Sequence, residues 1–269
     1  MKINKKLFFL GLFALFFISC RLSYKNIEFQ RAQNSLKKKN FHEALMHYSR
    51  VIKRSPESPI SLEAAREAAR ISLFETQQFS RAIDFFHHLV VYSVDEVERR
   101  RAQEAIAFIY FEKLNDYQAA IKEYSRLLVL PITESKKIEF KLAIAKSYFY
   151  LNKFNQAIIE INDLLKFELP RDKAFTINHF KASILLTKKE IEPAIQVYRQ
   201  LLAEYPELSK KEKVGISIAV AYEDMNALDK AISILEEIRP SYDDADFIDI
   251  KIKRLKERIA NLPGVRRKF

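Results

Sequence analysis

The sequence predicts an all-α protein, an α-solenoid of about six helix pairs closed by a C-terminal capping helix. Three observations point there. A segment that opens Pro193-Ala194-Ile195-Gln196-Val197-Tyr198 and closes on Tyr205-Pro206 has counterparts along the chain. With Ala194 as the mark, equivalents fall at Ala44, Ala82, Ala120, Ala157 and Ala231, spaced 38, 38, 37, 37 and 37 residues. A fixed period of that length is the signature of stacked supersecondary units. Apolar residues between the marks recur at helical spacing. Glycine is scarce, 3 in 269 residues, which leaves few tight hairpins or phosphate-cradling loops.

Taken in order, the chain opens Met1-Lys2-Ile3-Asn4-Lys5-Lys6, followed by an apolar run from Leu7 to Ile18. A basic head and a run of 12 residues read as a secretory signal over 1–19, because a membrane span needs about 20. The run ends Phe17-Ile18-Ser19-Cys20. This resembles the lipobox of bacterial lipoproteins, although Phe17 stands where leucine is usual. The resemblance implies cleavage after Ser19 and a lipid on the Cys20 sulfur. A plain signal peptide with an incidental cysteine, or an uncleaved anchor, is the competing reading. Cys20 is the single cysteine, so no internal disulfide is possible and packing must supply the stability. Residues 20–25 form the lipidated cysteine and a short tether.

Residues 26–242 hold the six repeats, each in two halves. The first half carries small and bulky residues at helical spacing: Ala65, Ala69 and Leu73; Ala107 and Phe111; Ala145 and Tyr148; Ala182 and Leu185; Ala219 and Tyr222. A polar turn follows, as in Leu114-Asn115-Asp116 and Leu151-Asn152-Lys153. The second helix opens three residues before each mark, on Phe41, Phe79, Tyr117, Phe154, Ile191 and Leu228. Small residues let paired helices approach, and large ones fill the gap to the next pair. Residues 243–269 read as a capping helix and basic tail. The cluster Asp243-Asp244-Ala245-Asp246 precedes an amphipathic run that ends in lysines and arginines, the charge order the helix dipole favours. The glycine and spaced glutamate of a calcium loop are missing, so the aspartates read as helix caps.

The repeats resemble the tetratricopeptide repeat (TPR) family. Its small residue in the first helix, alanine in the second and closing proline match Ala32, Ala44 and Pro56, and again Ala182, Ala194 and Pro206. The tryptophan usual in the family is absent, the period exceeds its 34 residues, and the repeats around Ala82 and Ala231 lack the proline. Period and lipobox together are similar to periplasmic TPR lipoproteins, including that of the outer-membrane β-barrel assembly machinery. The resemblance implies a concave groove lined by first helices. By the family's register the groove takes Phe29 and Gln33; Glu67, Ile71 and Phe74; Ile109 and Glu112; Lys146, Phe149 and Tyr150; His179 and Ser183; and Glu223. Cytosolic co-chaperone TPRs grip a C-terminal carboxylate with basic and amide side chains. Here the matching positions hold Phe29, Gln33, Ala68, Ala102 and Ile106, so that clamp is absent. The mixed groove suits an extended segment or helix docking by apolar anchors.

No catalytic or cofactor pattern is present. The five histidines form no ligand set, no phosphate-binding or nucleophile motif occurs, and the carboxylates are those of solvated helix faces. We read the chain as non-enzymatic, with no cofactor, metal or small-molecule substrate. Its net charge of +11 is unevenly placed. Arg21–Arg54 carries 9 basic and 2 acidic residues, and Lys251–Phe269 carries 8 and 1. The stretch between, Ser55–Ile250, holds 26 and 32. A nucleic-acid binder spreads its cations along one groove, so none is expected here. Basic charge beside a lipid suits an anionic bilayer. Lys37, Lys38 and Lys39 are assigned to that surface, and Arg266, Arg267 and Lys268 to an acidic partner; plain solvation of terminal helices is the competing reading. The expected role is a lipid-anchored scaffold at the outer membrane, facing the periplasm and binding envelope proteins, with outer-membrane protein assembly as the process. The alternatives are a pilotin or accessory factor for a secretin, pilus or cell-wall enzyme, and a helical domain of a lytic enzyme.

Overall fold

Every polar turn between a first and a second helix reverses the chain by the same device. Lys39, Gln77, Asn115, Asn152, Lys189 and Asn226 all have positive φ, between 51° and 65°, and each stands two residues before the second helix opens. One left-handed residue ends a helix and swings the chain back, which is why three of the six are asparagine. The second helices then begin where the sequence places them: α2 (Phe41–Arg54), α4 (Phe79–Tyr92), α6 (Tyr117–Leu128), α8 (Phe154–Leu164), α10 (Ile191–Glu204) and α13 (Leu228–Ile238).

The computed structural model describes residues 26–261, which fall into two compact units with the boundary between Ile132 and Thr133. The predicted signal, Cys20 and the tail with Arg266, Arg267 and Lys268 lie outside the described residues. In the N-unit the first helices are α1 (residues 26–37), α3 (Pro59–Arg70) and α5 (Glu96–Phe108). In the C-unit they are α7 (Glu134–Tyr150), α9 (Arg171–Thr187) and α12 (Val214–Asp224), followed by the predicted capping helix, α14 (Ala245–Ala260). Asp244 accepts from the Phe247 amide at 3.0 Å, so the aspartate cluster does cap this helix. Each unit is an all-α stack of TPR-like helix pairs.

The marks sit where helices come closest: Ala44, Ala82, Ala120, Ala157, Ala194 and Ala231 are all fully buried. Around them, the core is continuous from one pair to the next within a unit. Leu45, Tyr48 and Val51 pack with Ala64 and Ala68 in the N-unit, and Tyr198, Leu201, Ile218 and Leu235 pack in the C-unit. A side chain of that size contributes roughly 1.5–3 kcal/mol on burial. Gly215 permits a closer approach still, since a Cβ there would stand 2.7 Å from Ile238 Cγ2.

Two features depart from the sequence reading. Prolines also open helices: Pro59, three residues past the closing Pro56, stands at the start of α3, and the closing Pro206 itself starts a short extra helix, α11 (Pro206–Lys211). Second, α3 and α5 do not stop as α-helices. Each runs into one turn of π-helix, Ile71–Glu75 and Ile109–Lys113, closed by bonds from the amides of Thr76 and Leu114 to the carbonyls of Ile71 and Ile109. A π turn absorbs one extra residue. These are the two repeats whose spacing is 38; the later ones, without it, are 37.

Candidate partner-docking faces

Each first helix packs against its own second helix, and within the units α3, α5, α9 and α12 also pack against the second helix before them, so the docking candidates are the side chains these contacts leave unburied. The expected groove residues stand at fixed counts before each mark. Eleven before come Gln33, Ile71, Ile109, Lys146, Ser183 and Val220. Gln33, Lys146 and Ser183 are half-buried and Val220 is exposed, but Ile71 and Ile109 are wholly buried. Both begin π turns. A count backward from the mark crosses the extra residue and stops one position late. The neighbours Arg70 and Phe108 are exposed and take the groove position instead. The two isoleucines belong to the core. So does Phe29, whose ring meets Tyr48 edge-on at 5.5 Å. The sequence signal that finds Arg70 and Phe108 is the difference between 38 and 37.

In the N-unit the candidates are therefore Gln33, Glu67, Arg70, Phe74, Phe108 and Glu112. Phe74 is 70% exposed although it is a large aromatic side chain. Arg70 is held between Glu67 (3.1 Å) and Glu75 (3.5 Å), and the Lys113 ammonium lies 5.6 Å from the centre of the Phe108 ring. The set is aromatic and ionic together.

In the C-unit the face changes character along its length. Phe149 is the hub of an aromatic group, 5.7 Å from Tyr150, 5.7 Å from Phe154 and 5.4 Å from Phe180, with Tyr150 the exposed member. His179 stacks on Phe175 at 5.8 Å, and burial lowers its pKa, so the ring is neutral near pH 7. Ser183 donates to the His179 carbonyl at 3.0 Å and lies 3.3 Å from the Tyr198 hydroxyl. These two expected groove residues support the wall more than they offer free bonds. At the far end Val220, Glu223 and Asp224 of α12 face Lys251, Arg254 and Arg258 of α14 across a cleft of about 700 Å³. The sequence reading assigned the C-terminal cations to the tail and missed this row, which its i, i+3, i+7 spacing on α14 reveals.

Lys37, Lys38 and Lys39 close α1 and form its turn into α2. A 12-residue helix rises about 17 Å, so they stand that far from residue 26. The first turn of α1 is tied down instead by Glu28, which is 1% exposed. His47 Nδ1 lies 2.8 Å from its carboxylate, and Arg31 and Arg50 donate at 2.7 and 3.4 Å. Burial alone raises the Glu28 carboxyl, but the bonds from His47 and Arg31 outweigh it and hold its pKa below the usual carboxylate range. Among the described residues no group of three or more His, Cys, Asp and Glu is placed to hold a metal ion, and no helix is long and apolar enough to cross a membrane.

A tetratricopeptide repeat profile matches residues 179–207, the stretch from His179 to Glu207. Among solved structures, one titled as Naa15/Naa10 bound to HypK-THB is similar over 91% of this chain and 36% of that one, with a TM-score of 0.67 and 12% identity. A tetratricopeptide repeat protein from Parabacteroides merdae scores 0.49 at 15% identity, over 88% of this chain and 90% of that one. YrrB, described as a TPR protein with an unusual peptide-binding site, scores 0.48 at 13% identity, over 80% and 98%. No curated protein sequence matches the chain.

Proposed function

We propose that the chain is a lipid-anchored TPR-like scaffold of the bacterial cell envelope, held at the outer membrane through Cys20 and facing the periplasm, where it takes part in outer-membrane protein assembly. TPR repeats of this kind serve protein–protein interaction, and the coarse reading of a non-enzymatic interaction scaffold follows from the repeat match and the stacked pairs. One observation supports docking through the first helices: in both units exposed aromatics stand among charges, Phe74 and Phe108 near Arg70 and Glu112 in sequence, and Tyr150 near Lys146. Aromatic anchors ringed by charge suit an apolar segment of a protein partner. The lipobox-like Phe17-Ile18-Ser19-Cys20 supports the anchor.

Photo-crosslinking residues at Phe108 and Tyr150, compared with one at Ile159 on the second helix α8, test the docking face in intact envelopes. Crosslinks to a barrel-assembly component at the first two sites, and none at Ile159, are expected. A secretin or pilus component caught there instead would reassign the process, and equal yields at all three sites would overturn the groove. The anchor is tested by Cys20→Ser, which should release the protein from the membrane fraction or leave its signal uncleaved. Failure of the wild type to incorporate a fatty-acid analogue would sink it.

A further inference from the structure

We infer that the edge of the N-unit at which α1 begins seats on an anionic lipid bilayer. The antiparallel pairing sends the start of every first helix and the end of every second helix to that edge. Contacts fix this. Glu28 in the first turn of α1 meets His47 and Arg50 in the latter half of α2, His88 near the end of α4 binds the Pro56 carbonyl at 3.0 Å, and Val90, Arg99, Arg126 and Leu130 line one cleft. The two edges of the unit differ sharply. The turns at the far edge, Lys38–Asn40, Thr76–Gln78 and Leu114–Asp116, are polar but for Leu114, and beside them the far edge exposes an aromatic, Phe74, rather than a row of aliphatics. The near edge projects Ile27, Val91, Val94, Val97, Val129 and Leu130, and the two loop-tip valines are almost bare, Val94 at 91% and Val129 at 83% exposed.

The barest aliphatic tips, Val94 and Val129, stand on separate loops and line no cleft, whereas a protein interface builds a pocket for an aromatic anchor at its centre. Shallow aliphatic insertion beside arginines, whose stems lie along apolar surface while the guanidinium reaches phosphate, suits the head-group layer. Arg99, Arg100 and Arg126 line the cleft beside these tips together with Glu96; each is ion-paired, to Glu96, Glu104 and Glu123 at 3.7, 3.9 and 2.8 Å, and a guanidinium has more N–H donors than these contacts use. Two inter-repeat loops of the C-unit, around Phe167 to Pro170 and Tyr205 to Pro206, show no exposed large apolar side chain, and the junction before α14 exposes one, Phe247. The chain outside the described residues gives the occupant. This part of the reading rests on lipid at Cys20. From there Arg21 to Lys25 can span at most about 18 Å, so the start of α1, and with it this edge, stays within reach of the head groups. Lys37, Lys38 and Lys39, at the other end of α1, face away from it.

The test uses residues 21–269, which keep every described helix and lack the single cysteine. A polarity-sensitive dye is placed at Val94→Cys or at Asn115→Cys, and vesicles of phosphatidylcholine are added with or without phosphatidylglycerol. The dye at position 94 should shift to the blue with the anionic vesicles and that at 115 should not. Val94→Asp with Val129→Asp should weaken partitioning roughly tenfold or more, because two apolar contacts are lost. Replacing Lys37, Lys38 and Lys39 by glutamine should leave it nearly unchanged. Both valines are exposed, so folding is spared, and the dye comparison decides even if it is not. Equal shifts at 94 and 115, no shift at either, an unweakened double variant, or a shift produced only by detergent-solubilised envelope proteins would overturn the inference. Fatty-acid labelling of the full chain is scored separately. Absence of label with a shift at 94 overturns the anchor and leaves the edge standing, and label without the shift overturns the edge alone.

Discussion

Tyr48 is fully buried, yet its hydroxyl has no hydrogen-bond partner. An orphan polar atom costs stability that its shape does not require, so Tyr48→Phe should be neutral or stabilising by up to about 1 kcal/mol, read from denaturant melts. Burial also pushes the Tyr48 phenol up to about 12. A raised pKa contributes stability that is whole below pH 10 and is lost as pH climbs toward 12, so the same variant should flatten the alkaline limb of the stability curve. The Glu28 carboxyl works in the opposite sense. Its lowered pKa contributes stability above the ordinary carboxylate range that is lost as pH falls through it. Glu28→Gln should therefore cost about 3 kcal/mol at neutral pH, as removal of one partner from a buried cluster does, and should reduce the acid sensitivity of folding. A loss that is the same at pH 3 and pH 7 would contradict this. Gln77, held at φ 51°, gives a simpler check: Gln77→Gly should gain about 0.5–1 kcal/mol by relieving the left-handed strain.

At the scale of the element, the π turns make a deletion prediction. Removing Phe74 should convert the π turn of the second pair to plain α-helix and keep the fold with a loss below about 2 kcal/mol. Removing Ile184 from α9, which has no residue to spare, should rotate all that follows by about 100° and abolish the cooperative melt. Equal effects would show that the extra residue is not the one the turn absorbs. The same turns explain what could be read in advance. The openings of all six second helices were legible, because a large apolar residue three before a buried alanine is a local pattern repeated six times. At the position eleven before each mark, the unburied residue was legible only where the count crossed no insertion. Lys146, Ser183 and Glu223 were found among the unburied side chains, while Ile71 and Ile109 were taken for them and Arg70 and Phe108 missed. Phe29 failed for another reason. Nothing local distinguishes an aromatic that lines a groove from one that packs on Tyr48, since that contact joins residues 19 positions apart. α11 was hidden by the proline that starts it, a residue more often read as a stop.

For the molecule as a whole, a repeat stack is stabilised chiefly through neighbouring layers, so damage should stay near its origin. Ala194 is fully buried between α9 and α10, and Ala194→Glu places an unpaired charge in that layer, at a cost of about 3 kcal/mol or more. Amide exchange should quicken in α9, α10 and α12 and remain as before in α1 to α3; uniform acceleration would mean that the chain unfolds as one cooperative block. The repeat lengths also bear on ancestry. Two successive first helices, α3 and α5, carry the same one-residue excess at the same point, in π turns that each open on an isoleucine, Ile71 and Ile109. One insertion followed by copying of the pair accounts for both, whereas two separate events would have had to strike the same turn twice. On that descent the second and third pairs share the extra residue by inheritance.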